Sequence, residues 1–372
     1  MTQMKAIACT ERGGIETLKP LTVPKPSDPE GYDVLSQSYF RQSSRPQSQG
    51  RNLRCKYLSG TTKQEDIRLT KTQDYPDYYT HCPDPPHILG FDGAGTILST
   101  GPSVKNLKPN DDIFYSGSPI RQGSNAQYQL VDSRSVALKP KNLEFVQAAA
   151  MPLTYITAYE ALVERLAITK GEDAGILIVN GAGGVGSVAS QIARWVLELP
   201  VVVTTASREE TQSFTKEMGA THVVNHREDI VQQIRDLNLK TPIRYVFITS
   251  RTEQYLGPAA AVLEPFGKIC SIVQTQEFPQ YGTEMMAKSL AFVWCLLGTK
   301  PYYGVQLESH GEILRELKGF VEEGKVKCHL KQRLGLDCEG LRKAHEGLES
   351  GKGIGKVGLS VDLVGEKGKT FT

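Results

Sequence analysis

The sequence predicts an α/β protein in which a β-rich domain precedes a doubly wound parallel sheet. Three observations carry this. Short strands separated by glycine and proline turns fill the region from His87 to Val131. From Gly171 onward, strands alternate with helical segments at βαβ spacing. At the head of that second region, residues 176–186 read Ile-Leu-Ile-Val-Asn-Gly-Ala-Gly-Gly-Val-Gly, a buried strand running into a glycine turn.

In chain order, residues 5–9 read as an opening strand. The stretch 88–98 is a glycine-studded strand or bend. A strand at 112–115 follows a turn at Pro109 and Asn110, and 126–131 alternates as a half-buried strand does. Helical runs come next, at 146–150 and 158–166. The parallel sheet draws on 176–180, 201–205, 221–225, 243–249 and 267–273. Residues 308–324 form an amphipathic helix ended by Gly324. A last strand at 355–361 closes the fold. The implied division is 1–148 for the β-rich domain, 149–325 for the parallel-sheet domain, 326–362 for a return to the first domain, and 363–372 for a tail.

The glycine turn is the main functional signal. Gly181, Gly183 and Gly186 follow a strand and open a helix beginning near Val188. Such glycines permit a tight turn, close backbone approach to a pyrophosphate, and close helix-on-strand packing. The helix N-terminus then offers N–H groups and a positive dipole end to phosphates. A purely structural glycine turn is the alternative.

Composition sets limits. The chain has 372 residues, 39% hydrophobic and 23% charged, with a formal net charge of +2. That is ordinary for a globular protein and gives no reason to invoke nucleic acid or an anionic membrane. No apolar run suggests a membrane span, and no secretory signal is visible, so a cytoplasmic location is expected. The seven cysteines, at 9, 55, 82, 270, 295, 328 and 338, are scattered without a CxxC pair. Reduced thiols are expected, not a disulfide framework or a four-cysteine zinc site.

Several motifs recur in a fixed order. They are Leu89-Gly-Phe-Asp-Gly-Ala-Gly, Leu107-Lys-Pro-Asn-Asp-Asp-Ile-Phe-Tyr, Ala148-Ala-Ala-Met-Pro-Leu-Thr-Tyr-Ile-Thr-Ala-Tyr-Glu-Ala-Leu, Gly181-Ala-Gly-Gly-Val-Gly, Met218-Gly-Ala-Thr-His-Val-Val-Asn-His-Arg and Gly351-Lys-Gly-Ile-Gly-Lys-Val. With them the chain resembles the quinone oxidoreductase-like branch of the medium-chain dehydrogenase/reductase superfamily, in the group called zinc-type alcohol dehydrogenase-like. The resemblance runs over about 87–361 and 4–35. It implies a GroES-like catalytic domain interrupted by a Rossmann NAD(P)-binding domain. It also implies a homodimer and a small-molecule substrate.

The expected activity is NADPH-dependent reduction of quinones or α,β-unsaturated carbonyls without metal. The alternatives are a non-catalytic NADPH-binding pseudoenzyme and a trans-acting enoyl reductase of a polyketide pathway. No zinc is expected, because the histidine that ligates metal in zinc relatives is replaced in Gly90-Phe91-Asp92. NADPH is preferred over NADH because the strand at 201–205 ends without an acid and is followed by Ser207 and Arg208, a pair suited to a 2′-phosphate. A solvated loop charge is the alternative for Arg208, and the adjacent Glu209 and Glu210 would favour a free ribose if the loop shifted. The cofactor-binding set is thus Gly181, Gly183, Gly184, Val185, Gly186, Ser207, Arg208, His226 and Thr157. His226 is the weaker member, with an ordinary surface histidine as its alternative. Thr157 follows from the resemblance, with helix packing as its alternative. Tyr115 and Asn125 are weak candidates for a substrate hydrogen-bond donor, and satisfied structural polar groups are the better reading of both.

Residues 36–86 depart from the family. The run from Ser36 to Arg51 is polar, lacks helix or strand period and reads as loop. The family's Asn-Pro-x-Asp segment is missing there. Permitted codons for Ser36 to Arg45, read one nucleotide out of phase, give Leu-Lys-Val-Thr-Phe-Ala-Asn-Pro-Val-Asp. A frame error or misread intron beginning near residue 36 accounts for both features.

Overall fold

A computed structural model of the chain describes residues 2–10, 15–42, 86–118, 120–275 and 283–360. The first half is β-rich. Its strands are β1 (Gln3–Cys9), β2 (Leu18–Pro24), β3 (Asp33–Gln42), β4 (His87–Ile88), β5 (Asp92–Thr100), β6 (Asp112–Ser116), β7 (Tyr128–Asp132) and β8 (Val136–Leu138). β1 lies between β2 and β4 in a small antiparallel sheet. β2 contains Pro20 and Pro24, which lack the N–H a central strand needs, and it occupies an edge.

The second half supplies β9 (Gly175–Val179), β10 (Val201–Thr205), β11 (His222–Val224), β12 (Ile243–Ile248), β13 (Lys268–Ser271) and β14 (Ala291–Trp294). They pair in the order β11-β10-β9-β12-β13-β14, all parallel. The order reverses between β9 and β12, which opens a crevice at the carboxyl ends of the strands. β9 and β10 are buried along their whole length, as a strand covered by helices on both faces must be.

The chain then returns. β15 (Leu330–Gly335) and β16 (Lys356–Ser360), parallel to each other, join the large and otherwise antiparallel sheet in the order β15-β16-β3-β5-β6-β8, with β7 on β3. One hydrophobic core links the two halves. Ala94, Phe114 and Ala137 from the antiparallel sheet pack in the same cluster as Ile176, Ile178, Val202 and Phe247 from the parallel one. The helix Pro152–Tyr159 runs through this junction, with proline at its start, where no N–H is required.

One expectation is corrected here. Residues 36–42, read as loop, continue β3, which pairs with β5, β7 and β16. Hydrogen bonding on both edges of β3 fixes this strand, and strand propensity yields to such neighbours. Residues 43–85, including the rest of the polar run with His81 and Cys82, lie outside the described residues. The sequence reading does not include β2, β8, β14, β15 or the helices Thr283–Ala287, Thr299–Tyr303 and Cys338–Glu349. The last of these is capped by Asp337, whose carboxylate accepts from Gly340 N–H at 2.7 Å. Gly340 and Gly347 inside it dilute its helical signal.

Candidate active site

The glycine turn sits at the crevice. Asn180 has a left-handed φ of 61° and its N–H donates to Thr205 Oγ1 at 2.8 Å. Gly183 is extended and caps the helix Gly184–Gln191. The predicted residues then divide into two groups. Gly181 and Gly186 are buried, and a Cβ on either would collide: at 2.5 Å from Thr204 Cβ for Gly181, and at 2.2 Å from Asn180 O for Gly186. These two glycines let strand and helix approach. Gly183, Gly184 and Val185 are partly exposed; the Gly183 N–H donates to Asn180 O at 3.1 Å, and Gly184 and Val185 supply the first N–H groups of the helix, which have no partner within the helix itself. The bare backbone of Gly184 also admits a neighbour, since a Cβ there would stand 2.7 Å from Lys356 Cδ. The turn therefore fits a bound pyrophosphate.

At the end of β10, Ser207 and Arg208 are partly exposed and Glu209 and Glu210 are exposed. Arg208 caps the helix Glu209–Glu217 through its backbone, exchanging hydrogen bonds with Thr211 Oγ1 at 3.1 and 2.7 Å. Its guanidinium Nη2 donates to the carbonyl of Lys352 at 2.7 Å. His226 lies at the surface beyond β11. Partial burial, then the charges of Arg227, Arg251 and Arg208, pull its pKa below the usual imidazole value. The charges of three guanidinium groups thus act on one imidazole beside the crevice. Arg251 has a left-handed φ of 50° and caps the helix Thr252–Val262. It had not been singled out, because nothing local in its sequence marks it.

Thr157 is fully buried on the helix that packs behind the turn, and its carbonyl accepts from Cys295 Sγ at 4.0 Å. The two weak candidates for a substrate hydrogen bond are both buried. Tyr115 is fully buried and its hydroxyl donates to Gln129 Oε1 at 2.8 Å. Asn125 is buried too, its backbone tied to Leu89 and Ile7 and its side-chain oxygen without a hydrogen bond.

A polar cluster that the sequence did not reveal lies between the two sheets. Asp92 on β5 and Lys356 on β16 are buried electrostatic partners, and Leu153 N–H donates to Asp92 Oδ1 at 2.6 Å. Burial pushes Asp92 up to about 7 although Lys356 opposes the shift. Burial pulls Lys356 down to about 8, opposed by Asp92. His329, fully buried, contacts Thr154 Oγ1 through Nε2 at 3.1 Å. Burial and then the Lys356 charge pull it down to about 3.

That depressed value predicts acid sensitivity. An unfolded histidine takes up a proton near pH 6.5, whereas His329 stays neutral in the native state until about 3. The stability this represents is complete above 6.5 and is lost as pH falls below it, by about 1.4 kcal/mol per pH unit for one proton. His87, pulled down to about 4 by burial, adds to the loss. Asp92 opposes it, because its raised pKa lets the native state hold a proton that the unfolded state releases. Denaturant titrations between pH 6.5 and 4.5 should show a shallower fall for His329→Gln than for the wild type. Equal slopes would remove His329 from this account.

Comparison with known proteins decides the family. Residues 184–305 match the family model described as zinc-binding dehydrogenase. A zinc-type alcohol dehydrogenase-like protein of Staphylococcus aureus is 39% identical over 284 residues, covering 74% of this chain and 83% of that protein. The chain belongs to the medium-chain dehydrogenase/reductase superfamily, among the zinc-type alcohol dehydrogenase-like proteins. The NADPH-dependent alkenal/one oxidoreductase of Arabidopsis thaliana chloroplasts is 29% identical over 73% of the chain and 63% of its own length. A crystal structure of a putative zinc-dependent alcohol dehydrogenase protein from Rhizobium etli superposes with a TM-score of 0.79 at 32% identity, covering 97% of this chain and 98% of that one. The chain is thus an NAD(P)H-dependent oxidoreductase with a GroES-like and a Rossmann part. Among the described residues, no helix is long and apolar enough to cross a membrane.

Zinc, which the family description names, does not fit the described residues of this reductase. Phe91 cannot ligate, the Asp92 carboxylate is taken up by Leu153 and Lys356, and no group of three or more His, Cys, Asp or Glu gathers among them.

Proposed function

We propose that this reductase uses NADPH to reduce quinones or α,β-unsaturated carbonyls without a metal. One observation carries the cofactor assignment. β10 ends in Thr205 with no acid to accept from a 2′-hydroxyl, and the charges of Arg227, Arg251 and Arg208 all act on His226 at the carboxyl edge of the sheet, where the adenosine ribose lies in this fold. A guanidinium cluster suits a phosphate dianion.

In this reading the N–H groups of Gly184 and Val185 at the helix N-terminus receive the pyrophosphate, the bare backbone of Gly183 lets it approach, and Lys356 lies alongside. Thr157 shapes the wall beside the nicotinamide. When bound, the dihydronicotinamide supplies a hydride, and the protein supplies orientation and exclusion of water. With no metal to polarise a carbonyl, acceptors that delocalise the incoming charge are favoured. The names of the alkenal/one oxidoreductase and of a tomato 2-methylene-furan-3-one reductase, 30% identical over 73% of the chain, support the same substrate class.

Arg208→Ala tests the cofactor assignment. It removes a charge-assisted contact contributing roughly 1.5–3 kcal/mol, on the order of 10- to 150-fold in affinity, from NADPH alone. NADH shares every other contact and should bind as before. Equal loss for both cofactors would make Arg208 a loop support and leave the 2′-phosphate unassigned.

A further inference from the structure

The glycine-rich segment between the helix Cys338–Glu349 and β16 crosses the cofactor side of the molecule. It is anchored there at several points. Ile354 packs against Ala182, Phe214 and Met218. Gly355 N–H donates to Ala182 O at 2.9 Å, inside the glycine turn itself. Gly351 and Gly355 have left-handed φ values of 67° and 56°, a conformation glycine adopts without strain. A Cβ on Gly355 would stand 2.2 Å from His329 O. Between these anchors, the carbonyl of Lys352 accepts from Arg208 Nη2 at 2.7 Å, and the Lys352 side chain is exposed.

Charge around Arg208 makes this placement matter. A phosphomonoester carries about −1.5 to −2 charges at neutral pH. Arg208 brings one positive charge, while Glu209 and Glu210 follow it in the chain with two negative ones. Arg227 and Arg251, whose charges act on His226 together with that of Arg208, add two more positive charges, and a further cation at this edge strengthens the hold on a dianion. Lys352 is held against the same guanidinium by its own carbonyl, and its long flexible stem ends in a compact cation with three donors.

We propose that Lys352 is a specificity-determining residue for the 2′-phosphate of the cofactor. Its carbonyl orients Arg208 and its ammonium binds the phosphate, so that the Rossmann part and the C-terminal return of the catalytic part read the phosphate together. This rests on the NADPH reading above. It adds a contact from outside the nucleotide-binding fold.

Calorimetric titration with 2′,5′-ADP and 5′-AMP tests it, because the two ligands differ only by the 2′-phosphate. Lys352→Ala should weaken 2′,5′-ADP about five- to tenfold and Lys352→Glu further, with 5′-AMP changed less than about twofold. The loss should shrink at high salt, which screens an exposed contact. Unchanged 2′,5′-ADP affinity in both variants, or equal weakening of the two ligands, overturns the assignment of Lys352. The wild type separates this from the broader reading. A wild-type preference for 2′,5′-ADP that survives Lys352→Glu removes Lys352 alone. A wild type that binds the two ligands equally removes the 2′-phosphate site altogether.

Discussion

Gly183→Asp is expected to abolish measurable NADPH binding in a protein that still folds. The steric part is small. A Cβ at 183 would stand 2.7 Å from Asn180 Nδ2, the far end of a side chain that can swing aside. The electrostatic part is large. A carboxylate would sit at the N-terminus of the helix Gly184–Gln191, on the face that receives the pyrophosphate. Like charges brought together in a binding site cost several kcal/mol, and each 1.4 kcal/mol is tenfold in affinity, so the loss should exceed about a hundredfold. Gly186→Ala provides the contrast. Its methyl would stand 2.2 Å from Asn180 O, which is backbone and cannot swing aside, so that variant should lose thermal stability first. Fluorescence titration with circular-dichroism melts separates the two effects. Wild-type affinity in a folded Gly183→Asp protein would show that the pyrophosphate lies elsewhere.

Lys356→Met should destabilise the protein increasingly as pH rises above about 7, by about 1.4 kcal/mol per pH unit, because the buried Asp92 then loses the charge that opposes its raised pKa and must keep its proton. Asp92 has no exposed surface and Lys356 has little, so water cannot replace the missing partner. Asp92→Leu combined with Lys356→Met should recover much of that loss, since two apolar groups at these sites leave no buried charge. The single variant should also bind NADPH more weakly, because the Lys356 side chain lies against Gly184. Denaturant unfolding of the two single variants and the double measures the coupling. Additive losses would mean that Asp92 and Lys356 do not act as a pair.

The parts of this molecule that were legible in the sequence are those set by local demands. The glycine turn is one, because close packing at Gly181 and Gly186 admits no side chain whatever lies further along the chain. The buried strands β9, β10 and β12 are others, since a strand covered on both faces is predominantly apolar. The less legible features depend on partners distant in sequence. Residues 36–42 look like loop alone and are strand only beside β5, β7 and β16. Asp92 was weighed only as part of a metal motif, and nothing near it announces Lys356. Arg208 was identified as a phosphate reader, but its contact with Lys352 brings together chain segments that only the tertiary fold places side by side. Tyr115 shows the converse. A hydroxyl near the cleft in the sequence is turned inward and satisfied by Gln129.

The central claim is that this chain reduces soft acceptors with NADPH. The most direct measurement follows oxidation of NADPH and of NADH, in parallel, by the purified full chain with a panel of quinones and α,β-unsaturated carbonyls. The same assay is repeated after dialysis against a strong zinc chelator. The account predicts turnover of at least one acceptor class with NADPH well ahead of NADH, unchanged by the chelator. NADPH binding without turnover of any acceptor, preference for NADH, or activity lost with the metal would contradict it.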